Sequence, residues 1–192
     1  MKRPCCHPKW IKVPDFNKAN YQGTKEYITM KVPCRHCVNC NYNYQREWMF
    51  RLIAENQTSE FSAFVTLTYD DVNLKSLDKK ELQLFVRMLR QRLNRLCDKY
   101  DLPHVNISYY GVGEYGRKFN RPHYHIMLFH LPVHDLSILW SEIVKIWHKG
   151  FVYVQPVTMK NIGYVTKYIT KYDYREHEVS PFVLCLLSLP WV

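Results

Sequence analysis

Arg121-Pro122-His123-Tyr124-His125-Ile126-Met127-Leu128-Phe129 starts behind a proline and runs on in aromatic and aliphatic residues, the composition of a β-strand. Side chains alternate across a strand, so His123 and His125 emerge together on one face while Tyr124, Ile126 and Leu128 take the other. Two neutral imidazoles side by side supply two nitrogens toward a divalent metal and lack an oxygen ligand. A half-buried sheet can equally carry two histidines as plain surface polar residues, so the surrounding sequence has to weigh between the two.

Just upstream, residues 104–113 are rich in Val, Ile, Ser and Tyr and close with Gly111-Val112-Gly113-Glu114-Tyr115-Gly116; a basic loop with Arg117 and Lys118 leads on to the histidines. If residues 105–114 and 122–130 pair as antiparallel neighbours, Glu114 falls at the same end as His123 and His125. A carboxylate joined to two imidazoles is a mixed nitrogen–oxygen site suited to Mg2+ or Mn2+, with positions left for water and a phosphate oxygen. The alternative is a turn glutamate that meets only solvent.

The other elements alternate in type. Residues 61–69 and 151–157 have strand composition, and residues 41–57 turn helical around Trp48, Leu52 and Ile53, a structural helix whose Arg46 and Arg51 could also touch phosphate. Residues 78–98 give the clearest helix: Leu82, Phe85, Val86, Leu89, Leu93 and Leu96 form its apolar stripe, and Asp78 with Glu81 reads as a cap pair. Arg87, Arg90, Arg92 and Arg95 lie off that stripe, as a solvated face or a DNA contact. Residues 135–149 form another amphipathic helix, with Gly150 as its stop. The order helix, strand, helix, strand, strand, helix, strand, helix suits an α+β layer.

That last helix, residues 164–171, reads Tyr164-Val165-Thr166-Lys167-Tyr168-Ile169-Thr170-Lys171. Four residues apart, Tyr164 and Tyr168 share a face, and each has a lysine three residues on. A free phenol, with a pKa of ~10, is a poor nucleophile at neutral pH. Beside a polarised phosphate and a cation, its hydroxyl can attack phosphorus and form a covalent ester, with the lysine neutralising charge. The same spacing also fits tyrosines packed inward and lysines reaching outward.

Composition narrows the partners. Lys+Arg total 27 against 17 for Asp+Glu, a net +10 over 192 residues, which favours a polyanion. Fifteen tyrosines offer stacking surfaces for unpaired bases. No stretch has the length of a membrane span or the apolar run of a secretory signal. Seven cysteines, mostly clustered, suit a reducing compartment and a metal site better than a disulfide framework. In an otherwise irregular first forty residues, Cys34, Cys37 and Cys40 are each separated by two residues, and Cys5 or Cys6 can add a fourth thiolate for a zinc knuckle. Free thiols and an iron–sulfur cluster are the other readings of that spacing.

Three stretches in order, Phe64-Val65-Thr66-Leu67-Thr68-Tyr69, His123-Tyr124-His125 and the doubled Tyr-x-x-Lys, resemble the three motifs of HUH-type rolling-circle replication initiators. With Cys34-x-x-Cys37-x-x-Cys40 and Gly113-Glu114-Tyr115-Gly116, the chain is similar to replication proteins of small single-stranded DNA phages, microviruses of the gokushovirus kind. The resemblance spans roughly residues 34–172.

It implies an antiparallel sheet of about five strands flanked by helices, an HUH endonuclease-like α+β fold, with the tyrosine helix across the histidine strand. His123 and His125 would be metal ligands with Glu114 as third; Tyr164 and Tyr168 the nucleophiles, assisted by Lys167 and Lys171; Cys5, Cys34, Cys37 and Cys40 the candidates for structural zinc. The expected organisation is a cysteine-bearing arm over residues 1–40, the endonuclease domain over 41–175, and an apolar tail over 176–192 that completes the core, forms a sticky end or is truncated. The implied activity is metal-dependent nicking and rejoining of DNA at a viral origin through a 5′-phosphotyrosyl intermediate. Its setting would be the cytoplasm of a host bacterium, with single-stranded origin DNA and the host helicase and polymerase as partners. A non-catalytic zinc-dependent DNA-binding protein, and a transposase or relaxase with the same chemistry, are the alternatives.

Overall fold

The computed structural model describes residues 2–15, 27–104, 106–116, 118–170 and 179–188. The chain divides into two compact units, Met1–Glu47 and Trp48–Val192. In the first, β1 (Lys9–Pro14) and β2 (Tyr27–Val32) pair antiparallel as a two-stranded ribbon, from Lys9 opposite Val32 to Pro14 opposite Tyr27. This corrects the reading of the first forty residues as irregular. Both strands are only six residues long and are studded with lysine, so their alternation is a weak signal beside the cysteines. Helix α1 (Val38–Thr58) follows the ribbon.

The second unit contains β3 (Ala63–Thr68), α2 (Lys79–Lys99), β4 (Ser108–Tyr115), β5 (Pro122–Phe129), α3 (Leu136–Ile146), β6 (Val152–Pro156), α4 (Met159–Thr166) and β7 (Phe182–Leu186). Its five strands form one antiparallel sheet in the order β6-β3-β5-β4-β7. The architecture is α+β, an antiparallel five-stranded sheet flanked by helices, as expected. The fifth strand comes from the apolar tail: β7 lies along β4 from Tyr109 opposite Leu186 to Gly113 opposite Phe182.

Strand alternation sends each side chain of β5 to one of two cores. Tyr124, Ile126 and Leu128 join Val65 and Leu67 beneath α2 (Leu82, Phe85, Leu89, Leu93) and α3 (Leu139, Ile143). Met127 and Phe129 face the other way, with Phe64, Tyr110 and Val112, against Trp48 and Leu52 of α1 and Ile162 and Val165 of α4. Each fully buried aliphatic or aromatic side chain contributes about 1.5–3 kcal/mol. His123 and His125 share this second face.

Asp78 does cap α2, its Oδ1 accepting from the Lys80 amide at 2.8 Å. Glu81 is instead buried beneath the sheet, where it accepts from the Tyr69 hydroxyl and pairs with Lys149 and with Lys75 at 3.1 Å. Two of the arginines off the α2 stripe serve the scaffold: Arg90 donates to the Ile107 carbonyl at 2.6 Å, and Arg92 pairs with Glu142 of α3. Gly150 is not the stop of α3. Its φ of 151° and close approach to β3, where a Cβ would stand 2.2 Å from the Thr68 carbonyl oxygen, make it a backbone-contact glycine. Among the described residues no helix is long and apolar enough to cross a membrane.

Candidate active site

Three neighbouring strands present polar side chains on two adjacent rungs of one face. His125 of β5 lies opposite Thr66 of β3, and His123 lies opposite both Thr68 of β3 and Glu114 of β4. The His125 ring stacks on Phe64 (centroids 5.6 Å apart, planes 13° apart) with Nδ1 3.0 Å from Thr66 Oγ1. Its Nε2 lies 2.8 Å from Glu114 Oε1. The same carboxylate oxygen accepts from the Tyr164 hydroxyl at 2.6 Å, and the Tyr168 hydroxyl donates in turn to that of Tyr164 at 2.9 Å. An unbroken chain thus runs Tyr168, Tyr164, Glu114, His125, Thr66. The Tyr164 ring also meets His125 edge-on, at 5.2 Å and 85°.

His123 sits one rung outward, its ring centroid 6.3 Å from that of His125. Nδ1 is 3.1 Å from the Pro122 carbonyl oxygen, so a proton there donates to that carbonyl and leaves the Nε2 lone pair free. Nε2 in turn faces Gly116, where a Cβ would stand only 2.7 Å away. Glycine keeps that space clear.

Burial alone would raise the Glu114 pKa, but hydrogen bonds from His125, Tyr164 and Tyr168 outweigh it and hold the carboxyl below its usual range, ionised at neutral pH. His123 is pushed down, first by burial and then by the charge of His125, so its imidazole is neutral. Tyr168 is pushed well up by burial, then by its bonding to Glu114 and Tyr164, and keeps its proton. Two imidazoles and one ionised carboxylate are nitrogen and oxygen donors of the kind a divalent ion takes, but among the described residues only the cysteine group has its ligand atoms within 4.8 Å of one another.

The tyrosines reach this rung from a helix that begins earlier than the sequence reading put it. Thr158 and Asn161 make a reciprocal capping box that starts α4 at Met159, and the chain tightens into a 3-10 turn at Lys167–Ile169. Tyr164 belongs to α4 and Tyr168 to the turn. Lys167 is exposed on that turn, and Lys171 lies outside the described residues. Thr66, Phe64 and Gly116 escaped the sequence reading. Thr66 stands inside the strand motif, and its pairing to His125 is a register fact that the sequence does not carry.

A second cluster lies in the first unit. The Sγ atoms of Cys5, Cys34, Cys37 and Cys40 all lie within 4.8 Å of one another. Amide hydrogens already point at sulfur: Cys34 N to Cys5 Sγ at 3.2 Å and Cys37 N to Cys34 Sγ at 3.3 Å. Backbone hydrogen bonds from Cys6 and Cys40 bring the Cys37 thiol down to about 5, while burial pushes Cys40 up to about 12. Cys6 stands outside the set and accepts from Asn39 Nδ2 at 3.3 Å.

A family profile described as the replication-associated protein of the ORF2 and gene-2-protein kind matches residues 62–173. The chain belongs to this family. The matched span takes in Thr66, Glu114, both histidines and both tyrosines. Two replication-associated proteins show the likeness at full sequence level. VP4 of Bdellovibrio phage phiMH2K is 33% identical over 170 residues, covering 82% of this chain and 53% of its own length. ORF2 of Spiroplasma virus 4 is 33% identical over 187 residues, covering 85% and 57%. This replication-associated chain therefore spans about half the length of those curated relatives. Among solved structures, the N-terminal nuclease domain of the minute virus of mice non-structural protein-1 aligns over 76% of this chain and 79% of its own. The identity is 10% and the TM-score 0.33, too slight a likeness to argue from.

Proposed function

We propose that this chain is a replication initiator of the HUH type that nicks single-stranded or locally melted DNA at a viral origin and later rejoins it. The observation that carries the reading is the 2.6 Å bond from the Tyr164 hydroxyl to Glu114 Oε1, the oxygen that His125 also contacts. A phenol aimed at an ionised carboxylate has a proton acceptor in place; a merely packed tyrosine needs none.

In the first transfer the Tyr164 oxygen attacks the scissile phosphorus and Glu114 Oε1 takes the phenolic proton. The bond from phosphorus to the 3′ oxygen breaks, the proton passes to that oxygen, and a 5′-phosphotyrosyl link and a free 3′-hydroxyl result. Tyr168 keeps its own proton and donates to the Tyr164 oxygen, steadying charge on it. Lys167 and Lys171 would neutralise phosphate charge on the solvent side. Mg2+ or Mn2+ held by His123, His125 and Glu114 would supply positive charge at a non-bridging phosphate oxygen. In a second transfer the Tyr168 oxygen attacks the phosphorus of the regenerated origin, breaking its bond to the 3′ oxygen, to which the phenolic proton passes. The 3′-hydroxyl so formed attacks the first phosphotyrosine, closing the circle and returning its proton to the released Tyr164 phenol. The host polymerase and helicase would extend and unwind from the 3′-hydroxyl in the bacterial cytoplasm.

The test is incubation with Mn2+ and single-stranded oligonucleotides tiling the cognate origin. A covalent protein–DNA species is expected with the natural chain. Tyr164→Phe combined with Tyr168→Phe retains DNA binding and loses that species; an adduct that persists in the double variant overturns the assignment.

The four converging thiols support a tetrahedral zinc site, structural and separate from the nicking chemistry. One equivalent of zinc per chain, lost in Cys34→Ser, is expected by elemental mass spectrometry. Iron with acid-labile sulfide, or no bound metal in protein purified under reducing conditions, refutes it.

A further inference from the structure

The β1–β2 ribbon has two unlike faces. Register and alternation put Trp10, Lys12 and Pro14 on one face with their partners Lys31, Thr29 and Tyr27, while Lys9, Ile11, Val13, Ile28, Met30 and Val32 line the other, mostly apolar one. Trp10 is 65% exposed and Tyr27 58%, and Lys12 and Lys31 are exposed as well. Neither strand contains an acidic residue. Lys31 Nζ stands 5.7 Å from the centre of the Trp10 ring, close enough for a weak cation–π contact. The two rings mark opposite ends of the face. Four residue steps separate them, about 13 Å at the rise of a β-strand; Lys12 lies between, and Lys31 stands opposite Trp10 at one end.

Exposed aromatic rings are costly to leave in water, and cations on the same face favour a ligand with flat faces and a charged backbone. Single-stranded nucleic acid has both, since every base offers a π-face and every linkage a phosphate. The ribbon is also tied at its base: the Cys34 amide, just after β2, donates to Cys5 Sγ, just before β1. Four thiols converge at that point, so the face is presented on a tied element rather than a loose arm.

We infer that the Trp10, Lys12, Lys31 and Tyr27 face of the ribbon is a single-stranded DNA contact, with the two rings stacking on bases and the two lysines meeting phosphates. It deepens the reading given above, because it rests on single-stranded DNA being what this chain works on.

The experiment uses the full chain and a fluorescein-labelled oligothymidine, read by anisotropy across a salt series. Trp10→Ala with Tyr27→Ala weakens binding by about tenfold or more for each ring removed. Lys12→Gln with Lys31→Gln lowers the slope of log affinity against log salt by about 1.4, two phosphates' worth for a single strand. Affinity within twofold of the natural chain in both double variants, with an unchanged slope, overturns the inference. So does a loss seen on duplex but not on single strand. Should a variant fail to fold by circular dichroism, photo-crosslinking of the natural chain to an iodouracil oligonucleotide decides the matter. Adducts on peptides holding Trp10 or Tyr27 support the contact, and adducts confined to other peptides overturn it. A natural chain that forms no covalent adduct with origin DNA, yet loses oligothymidine binding in the ribbon variants, sinks the nicking reading and leaves the ribbon contact standing.

Discussion

Gly116→Ala isolates the position of His123 from the stability of the fold. A Cβ built on Gly116 stands 2.7 Å from His123 Nε2, whereas ordinary contact begins at 3.4 Å, so the ring must retreat by about 0.7 Å or turn. The backbone does not resist the change, because Gly150 has the single positive φ among the described glycines. Alanine at such a position even restricts the unfolded chain, an effect of about 0.4–1 kcal/mol in favour of folding. A displacement of ~1 Å at a reacting centre costs about a hundredfold. The expected result is therefore a drop of about ten- to a hundredfold in the rate of adduct formation with Mn2+, with a melting temperature at or slightly above that of the natural chain. Gly111→Ala is the control: its Cβ would meet the flexible end of Leu82 at 2.9 Å, an overpacking cost of about 1–3 kcal/mol away from the histidines. An adduct rate in Gly116→Ala within threefold of the natural chain refutes the placement of His123 in the reacting centre.

Thr66→Val keeps the shape of β3 and removes the oxygen that partners His125 Nδ1 at 3.0 Å; such supporting bonds are worth about 10–100-fold in metal affinity. A Mn2+ titration of adduct formation should shift by that factor, and an unmoved midpoint counts against the pairing. Tyr168→Phe should retain the first cleavage and lose strand closure, while Tyr164→Phe loses the first cleavage; assays of nicking and of circle closure showing the reverse would exchange the two roles. Glu142 supplies a pH signature: burial opposes its ionisation, but Lys145 and Arg92 outweigh that and hold its pKa below the usual 4.5. A depressed carboxyl contributes stability above its unfolded value and loses it as pH falls through the folded one. The melting-temperature gap between the natural chain and Glu142→Gln should be full at neutral pH and close under acid, and a gap independent of pH contradicts the ion-pair account.

Much of the second unit was legible because its signals are local. The α2 stripe from Leu82 to Leu93, the cap at Asp78 and the alternation of β5 are each written within one element, and all stand where the sequence puts them. The pairing of β4 with β5 follows from their adjacency in the chain, and it delivers Glu114 opposite His123. What depends on distant pairing was not legible. Thr66 meets His125 only because β3 is inserted beside β5 in one register, and Glu81 leaves its expected capping role because Tyr69 and Lys149 reach it from remote parts of the chain. The β7 tail lacked polar alternation, so composition alone could not separate an edge strand from a sticky end. Its pairing with β4 settles that tail as the fifth strand of the sheet.

The Glu114 carboxylate and the two phenols are held by different means. His125 and Glu114 stand on strands β5 and β4 of the five-stranded sheet, backed by Phe64, Val112 and Met127, in a packing that leaves little room to move. The phenols instead arrive on the eight-residue α4 and the turn after it, anchored by Ile162 and Val165, while Tyr164 remains 40% exposed. On the nicking reading proposed above, a rigid acceptor would suit a reaction that must place one phosphorus in line each time. In the same reading, a short helix and turn whose two hydroxyls are bonded in series would let a second phenol stand ready one turn behind the first. On the nicking reading this arrangement would suit two phenols four residues apart: Tyr164 bonds Glu114 Oε1 and Tyr168 bonds Tyr164, so one segment would bring both toward that oxygen in turn.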